Sequence, residues 1–169
     1  MDWRNRPRIG VMGPSRCSER TLDLARRTGA CIAREGGILV CGGGTGVMEA
    51  ASRGARESGG MTLGILPGSA AAEANPYVDI PIVTGMGNAR NVINVLTSQA
   101  VIAISGGPGT LSEIALALKC GTPVIGLGSW RLESPEGQAP PAVYTAHTPE
   151  EAVAIALGLI RAPLPSSGG

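Results

Sequence analysis

The sequence predicts an α/β fold, and two observations carry that prediction. Short apolar segments alternate with longer segments whose apolar residues recur at helical spacing, which is typical of a parallel sheet covered on both faces. Glycine-rich turns follow most of the apolar segments, at the edge where such sheets hold their ligands. We therefore expect a single doubly wound, mainly parallel Rossmann-like sheet with helices on both faces. With 169 residues, 43% of them hydrophobic, one core is expected over residues 1–161, followed by a disordered tail over 162–169.

The predicted strands are short runs dominated by Val, Ile, Leu and Ala, with flanking Gly or Pro. The segment at 142–145 is predicted as an edge strand because a loop rich in Pro, Gly and charge precedes it. In chain order the predicted strands are residues 8–12, 38–41, 62–66, 78–83, 100–104, 123–127 and 142–145.

The predicted helices fill the intervals between these strands. The first has Leu22, Ala25, Ala30 and Ala33 on one face and arginines on the other, and the second ends at a pair of glycines. The third opens near Arg90, the fourth follows a glycine-rich turn, and the fifth starts at a proline. Their predicted ranges are residues 19–34, 47–57, 89–98, 111–119 and 149–160.

Composition narrows the function classes. A formal charge of +1 gives no general attraction to nucleic acid, and 2% aromatic residues leave too few rings to stack bases, so no nucleic-acid partner is expected. No apolar run approaches the ~20 residues that span a bilayer, and the N-terminus has no signal-peptide core. We expect a soluble, cytoplasmic protein without a membrane partner.

Metal and lysine chemistry are also disfavoured. The four cysteines form no CxxC pair and His147 is the only histidine, so no metal site is predicted and the thiols are expected to be reduced. Lys119 is the only lysine, and no glycine loop contains a P-loop lysine. The turn Gly13-Pro14-Ser15 lacks the GxGxxG spacing, which disfavours NAD.

The segment from Ser105 to Glu113 carries the strongest functional signal. Its glycines let a ligand approach the backbone, and the free N–H groups of the following helix turn can hold phosphate. Similar loops follow the other strands, with hydroxyls that add donors. The predicted ligand- and phosphate-binding residues are Gly13, Ser15, Gly43, Gly44, Thr45, Gly85, Arg90, Gly106, Gly107, Gly109 and Thr110.

Arg90 and Glu113 are the two charged candidates at this edge of the sheet. Arg90 follows a strand-end loop and could meet an anion, although a subunit ion pair or plain solvation would also account for it. Glu113 could face the ligand, but Thr110-x-x-Glu113 also matches a capping box in which the carboxylate only satisfies backbone donors. If the two side chains face one another, they would orient a ligand with an anionic and a neutral polar part.

Two glycine segments carry a resemblance to a known family. Residues 106–113, GGPGTLSE, match the GGxGTxxE signature of the LOG (LONELY GUY) superfamily, and residues 42–48, GGGTGVM, resemble its second glycine segment. The likeness extends over about residues 9–127. It implies an enzyme that cleaves the N-glycosidic bond of nucleoside 5′-monophosphates, with Arg90 and Glu113 as the catalytic residues.

The departures from that family point to one of its branches. The segment from Met86 to Arg90 is one residue longer than the M-x-x-R motif, Asn91 replaces the usual lysine, and Ser105 replaces a proline. Residues 10–14, 79–85 and 89–94 resemble the molybdenum cofactor carrier branch instead. That resemblance implies a carrier or storage protein whose carried ligand is the molybdenum cofactor (molybdopterin), with no bond broken and no catalytic cofactor.

The carrier function is our preferred interpretation and the phosphoribohydrolase is the alternative. Whether the protein is an enzyme therefore stays open at this point. In either case the resemblance implies a homodimer or a higher homo-oligomer, and for a carrier it implies contact with the maturation proteins of molybdoenzymes.

Overall fold

The apolar segments of the sequence form seven strands of one parallel sheet in a computed structural model that describes residues 3–133, 137 and 142–161. Their order across the sheet is β4-β3-β2-β1-β5-β6-β7, and every neighbouring pair is parallel. The strands are β1 (Arg8–Met12), β2 (Ile38–Cys41), β3 (Met61–Leu66), β4 (Ile80–Val83), β5 (Ala100–Ile104), β6 (Val124–Leu127) and β7 (Val143–Ala146). The expected doubly wound parallel sheet is confirmed.

Helices cover both faces of this sheet. The described helices are α1 (Glu19–Arg34), α2 (Val47–Glu57), α3 (Asn91–Thr97), α4 (Pro108–Cys120) and α5 (Pro149–Arg161). On one face α1 packs against α2 and α5, and on the other α3 packs against α4. Successive residues of a strand point to opposite faces, so Ile102 and Ile104 join the core under α1, α2 and α5, while Val101 and Ala103 join the core under α3 and α4.

The order of the strands places a crevice beside β1. From β1 the chain adds β2, β3 and β4 in one direction, and then returns to place β5 on the other side of β1. The loops after β1 and β5 therefore diverge to opposite faces, and ligands of open parallel sheets bind at such a reversal. The loop after β1 contains Gly13 and Ser15, and the loop after β5 contains Gly106 and Gly107.

Three element boundaries differ from the sequence prediction by two or three residues, and the others by at most one residue. The third helix was expected over 89–98, but a 3₁₀ turn (Gly87–Arg90) precedes α3, so Arg90 lies at the junction of the two. Strand β4 starts at Ile80, and just before it the Asp79 side chain accepts the Thr62 N–H at 2.9 Å while the Asp79 N–H donates to the Thr62 carbonyl at 3.2 Å. Helix α4 starts at Pro108, since proline suits the first helical position.

The remaining predictions concern the chain ends, the thiols and membranes. The tail over 162–169 lies outside the described residues. The edge strand predicted at 142–145 is β7, shifted by one residue, and all four cysteines are free thiols. Within the described ranges, no helix is both long and apolar enough to cross a bilayer.

Candidate functional site

A cleft of about 270 Å³ opens between the loops that follow β1 and β5. It lies at the reversal of strand order, where the fold places a ligand crevice. The loop after β1 forms one wall, the first turn of α4 forms another, and the 3₁₀ turn before α3 closes a third side. The described lining residues are Val11, Met12, Gly13, Pro14, Ser15, Gly42, Met48, Asn88, Arg90, Asn91, Gly107, Pro108, Gly109, Thr110 and Glu113.

The first turn of α4 brings unpaired donors to the lining of this cleft. The first intrahelical hydrogen bond runs from the Leu111 N–H to the Gly107 carbonyl at 3.0 Å, so the N–H groups of Gly109 and Thr110 have no acceptor within the helix. The side chain of Thr110 adds a hydroxyl that is buried and has no hydrogen-bond partner among the described residues. Unpaired N–H groups and the helix dipole together favour an anion here.

Arg90 brings a buried positive charge to the opposite wall. Its side chain is 12% exposed, and its Nη1 donates to the Asn91 Oδ1. Gly42 makes room for it, because a Cβ atom at that position would lie 2.5 Å from the Arg90 Nη2. Burial lowers the pKa of Arg90 and the negative charge of Glu113 opposes that shift. Its buried Nε has no partner within the described chain.

Glu113 faces Arg90 from α4. The Glu113 Oε1 lies 3.7 Å from the Arg90 Nη1 and accepts a hydrogen bond of 3.0 Å from the Asn94 Nδ2. Burial raises the pKa of Glu113, while the Asn94 hydrogen bond and the Arg90 charge lower it. The capping interpretation of Glu113 does not hold, because α4 starts at Pro108 and its N-cap is Gly107, too far ahead for a Thr110–Glu113 capping box.

The structure thus brings Arg90 and Glu113 together with some of the predicted ligand-binding residues of the glycine-rich loops. The predicted residues that line the cleft belong to the loop after β1, the 3₁₀ turn and the start of α4. They are Gly13, Ser15, Arg90, Gly107, Gly109, Thr110 and Glu113.

The other predicted residues lie outside the lining. The carbonyls of Gly43 and Gly44 accept hydrogen bonds from the Asn75 side chain at 3.2 and 2.9 Å. The Thr45 hydroxyl donates to the Ser15 carbonyl at 3.4 Å, and Gly106 lies against the Trp130 indole. The predicted residues outside the lining are Gly43, Gly44, Thr45, Gly85 and Gly106. In the described chain, these contacts show that most of these residues hold neighbouring loops together.

Three residues at or next to the cleft were not among the predicted site residues: Gly42, Asn91 and Asn94. Gly42 belongs to a glycine-rich segment of the LOG resemblance, and Asn91 and Asn94 belong to residues 89–94, which resemble the carrier branch. Asn94 lies four residues after Arg90, a spacing that puts two side chains on one face of a helix, and this was the available signal.

A larger cleft of about 660 Å³ lies between the start of α1 and α2 and shares Ser15 with the smaller one. Its described lining has three arginines and three carboxylates, so its charges balance: Arg16, Arg26, Arg53, Glu19, Asp23 and Glu49. Two of these arginines are already paired with Glu57 outside the lining. The smaller cleft, with its unpaired buried donors, is therefore the better candidate site.

The family of the chain follows from a sequence profile. The profile of the SLOG cluster4 family matches residues 6–153. The chain belongs to this family. The match spans every described strand and the cleft residues, and it is consistent with the predicted place in the LOG superfamily near the molybdenum cofactor carrier branch.

Solved structures similar to this SLOG cluster4 chain include two that are named for the molybdenum cofactor. The molybdenum cofactor binding protein from Rippkaea orientalis is 44% identical, with a TM-score of 0.83, and the match covers 92% of this chain and 98% of that one. The molybdenum cofactor carrier protein from Chlamydomonas reinhardtii is 42% identical, with a TM-score of 0.82 over 92% and 99% of the two chains.

Sequence relatives include an uncharacterised protein and a hydrolase. A protein of Archaeoglobus fulgidus is 45% identical over 86% of this chain and 91% of its own length. The cytokinin riboside 5′-monophosphate phosphoribohydrolase of Mycobacterium tuberculosis is 40% identical over 96 residues, which are 55% of this chain and 51% of the relative. The similarity to the hydrolase is thus confined to about half of each protein.

Proposed function

We propose that the protein is a molybdenum cofactor carrier that holds the cofactor in the cleft between the loops after β1 and β5. One observation carries the proposal: buried donors without partners, the Thr110 hydroxyl and the Arg90 Nε, surround this cleft within the described chain. Unpaired buried polar groups are costly, so a ligand that satisfies them is favoured. The similarity to two proteins named for this cofactor, across more than nine-tenths of the chain, supports the choice of ligand.

The cleft offers two kinds of group to such a ligand. The N–H groups of Gly109 and Thr110 and the Thr110 hydroxyl would hold the terminal phosphate at the start of α4. Arg90 would meet the oxygens of the phosphate or of the molybdate group, because a guanidinium presents several donors in one plane. Carrying requires no broken bond, so the residues only need to bind, orient and shield the cofactor.

The first experiment is a retention assay. Purified protein is mixed anaerobically with cofactor released from a molybdoenzyme and passed over a gel-filtration column, and the retained pterin is measured by the fluorescence of its oxidised product. We expect coelution with the wild type and a loss of ten- to one-hundredfold in affinity for Arg90→Ala, the effect of removing a charged hydrogen-bond donor. Passage of the cofactor at the free-ligand volume with folded wild-type protein would contradict the proposal.

A phosphoribohydrolase is the second candidate, and the Arg90–Glu113 pair favours it. A buried carboxyl with a raised pKa can act as an acid in glycoside chemistry, or as a carboxylate it can stabilise a developing oxocarbenium ion. Glycosidases generally use two carboxyl groups, and among the described lining residues Glu113 alone has one. This is the physical reason for ranking hydrolysis second.

The hydrolase is tested with a panel of nucleoside 5′-monophosphates. Free base is measured by chromatography after incubation with wild type and with Glu113→Gln, which keeps the size of the side chain. Base release that depends on Glu113 would make the protein a hydrolase. With no release across the panel, the carrier proposal stands.

A further inference from the structure

Asn94 is a buried residue with a polar contact to a residue of the site. It lies on α3, has an exposed fraction of 0%, and does not line the cleft. Its Nδ2 donates to the Glu113 Oε1 at 3.0 Å, whereas the Arg90 Nη1 is 3.7 Å from the same oxygen. Asn94 therefore makes the shorter of the two polar side-chain contacts to this carboxylate in the described part of the chain.

The other end of the Asn94 amide argues against simple space filling. Its Oδ1 is buried and has no hydrogen-bond partner within the described ranges. A leucine of similar size would fill the same volume without leaving a buried acceptor unpaired. The amide is therefore better explained by its contact with Glu113 than by packing alone.

An amide also suits a carboxyl group that can change its protonation state. In the observed orientation the Nδ2 donates to the Glu113 carboxylate. After a half-turn of the side chain the Oδ1 could accept a hydrogen bond from the protonated acid, since an asparagine side chain carries both kinds of group. Arg90, which has only donors, can serve the ionised form alone.

We propose that Asn94 is a positioning residue, whose side-chain amide holds the Glu113 carboxyl against Arg90 and can serve both of its protonation states. The inference rests on the proposed function only in that it places Glu113 in the ligand site. Its consequence for the cleft is that Arg90 keeps a fixed counter-charge, and so a fixed orientation, before any ligand arrives.

Three elements face the Glu113 carboxyl or its ion pair. Arg90 comes from the 3₁₀ turn and Asn94 from α3, while the fully buried Cys41 thiol at the end of β2 interacts with both members of the pair. Burial raises the pKa of the Cys41 thiol, which keeps it uncharged at neutral pH. Burial raises the pKa of Glu113, and Arg90 and Asn94 are thus the two groups that lower it.

The test is the titration of Glu113 itself in the protein without ligand. The side-chain carboxyl carbon is labelled with ¹³C and followed by NMR against pH in wild type, Asn94→Leu and Asn94→Asp. Asn94→Leu removes the donor, and Asn94→Asp keeps the shape but adds a second negative charge. We expect the midpoint of the Glu113 titration to move to higher pH in both variants, because each disfavours the ionised carboxylate.

Ser98→Ala is the matched control. The Ser98 hydroxyl donates to the Asn94 backbone carbonyl at 2.8 Å, so the substitution disturbs the same helix turn without touching the amide. A Glu113 midpoint equal to that of wild type in the folded Asn94 variants would overturn the proposal, as would an equal shift in Ser98→Ala. Should Asn94→Leu fail to fold, Asn94→Asp decides alone.

This measurement is independent of the ligand. A protein that fails to retain the cofactor but shows the shifted titration contradicts the proposed function and leaves the role of Asn94 intact. A protein that retains the cofactor but shows no shift of the Glu113 titration in the Asn94 variants supports the proposed function and contradicts the role of Asn94.

Discussion

Thr110 brings to the cleft a hydroxyl that is almost fully buried and unpaired within the described residues. Valine has nearly the same shape and lacks the hydroxyl, so Thr110→Val removes the donor without opening a cavity. We expect cofactor affinity to fall about fivefold, which corresponds to the ~1 kcal/mol of a neutral hydrogen bond. The melting temperature should stay equal or rise, since an unsatisfied buried group is lost. Unchanged affinity in a folded Thr110→Val protein would remove this hydroxyl from the site.

Glu113 makes a second prediction, on the dependence of stability on pH. Burial raises its pKa in the folded protein, so as pH rises above the ordinary carboxyl pKa the unfolded chain loses this proton first. The free energy of unfolding of the wild type should therefore fall relative to that of Glu113→Gln, until Glu113 itself ionises in the folded state. Urea unfolding of both proteins at a series of pH values measures this difference. If the stability of the wild type relative to Glu113→Gln stayed constant or increased as the pH rises, this result would contradict the raised pKa.

The sequence could reveal Arg90 and Glu113 but not their partners. Both follow strand-end loops, and the carboxyl ends of parallel strands share one edge, so their proximity could be expected. The bond from Asn94 to Glu113 joins residues of two helices, and its formation depends on how α3 packs on α4. The room that Gly42 gives to Arg90 likewise depends on tertiary contacts that no local pattern encodes.

Among the elements, α1 and α2 cross at two glycines. A Cβ atom on Gly29 would lie 1.9 Å from the Ala51 carbonyl oxygen, and one on Gly54 would lie 1.9 Å from the Arg26 carbonyl oxygen. Gly29→Ala should therefore push the helices apart and cost about 1–3 kcal/mol. Gly158→Ala in α5 is the control, because nothing lies within 4 Å of its added Cβ and alanine favours a helix by roughly 1 kcal/mol. Thermal unfolding should shift in opposite directions, and equal shifts would contradict the close crossing.

The loop between β5 and α4 carries a further prediction. Ser105 has a φ of 58°, and among the described residues it is the only non-glycine residue with a left-handed backbone. Proline holds φ near −65°, which explains why the proline of the LOG signature does not fit here. Ser105→Pro should cost more than about 2 kcal/mol, whereas Ser105→Gly should change stability by less than about 1 kcal/mol. Chemical denaturation measures the free energy of unfolding of both variants. A Ser105→Pro protein as stable as the wild type would contradict the left-handed backbone at Ser105.

Local sequence patterns predict the interiors of the strands and helices better than their boundaries. The interiors of the strands and of α1 and α2 match their predictions, because runs of apolar residues and helical periodicity are local signals. The 3₁₀ turn before α3 was missed, since its residues suit either kind of helix. The start of β4 lies next to hydrogen bonds between Asp79 and Thr62, which join residues distant in the sequence that no local pattern reveals.

On the scale of the whole molecule, the order of the strands brings the site together. Residues from the loops after β1, β2, β4 and β5 meet at one cleft, although up to about a hundred positions separate them in the sequence. The reversal of strand order beside β1 could be expected from the alternation of strands and helices, but its exact partners could not. The proposed carrier function belongs to this scale, because it needs the assembled cleft and not any single loop.

The most direct measurement of that function compares the intact cofactor with cofactor from which a phosphatase has removed the terminal phosphate. Affinity for each is measured by fluorescence titration, in wild type and in Thr110→Val. We predict that wild type binds the intact form at least tenfold more tightly, and that Thr110→Val narrows this preference, because the start of α4 holds the phosphate. Equal affinity of the wild type for the two forms would contradict the account.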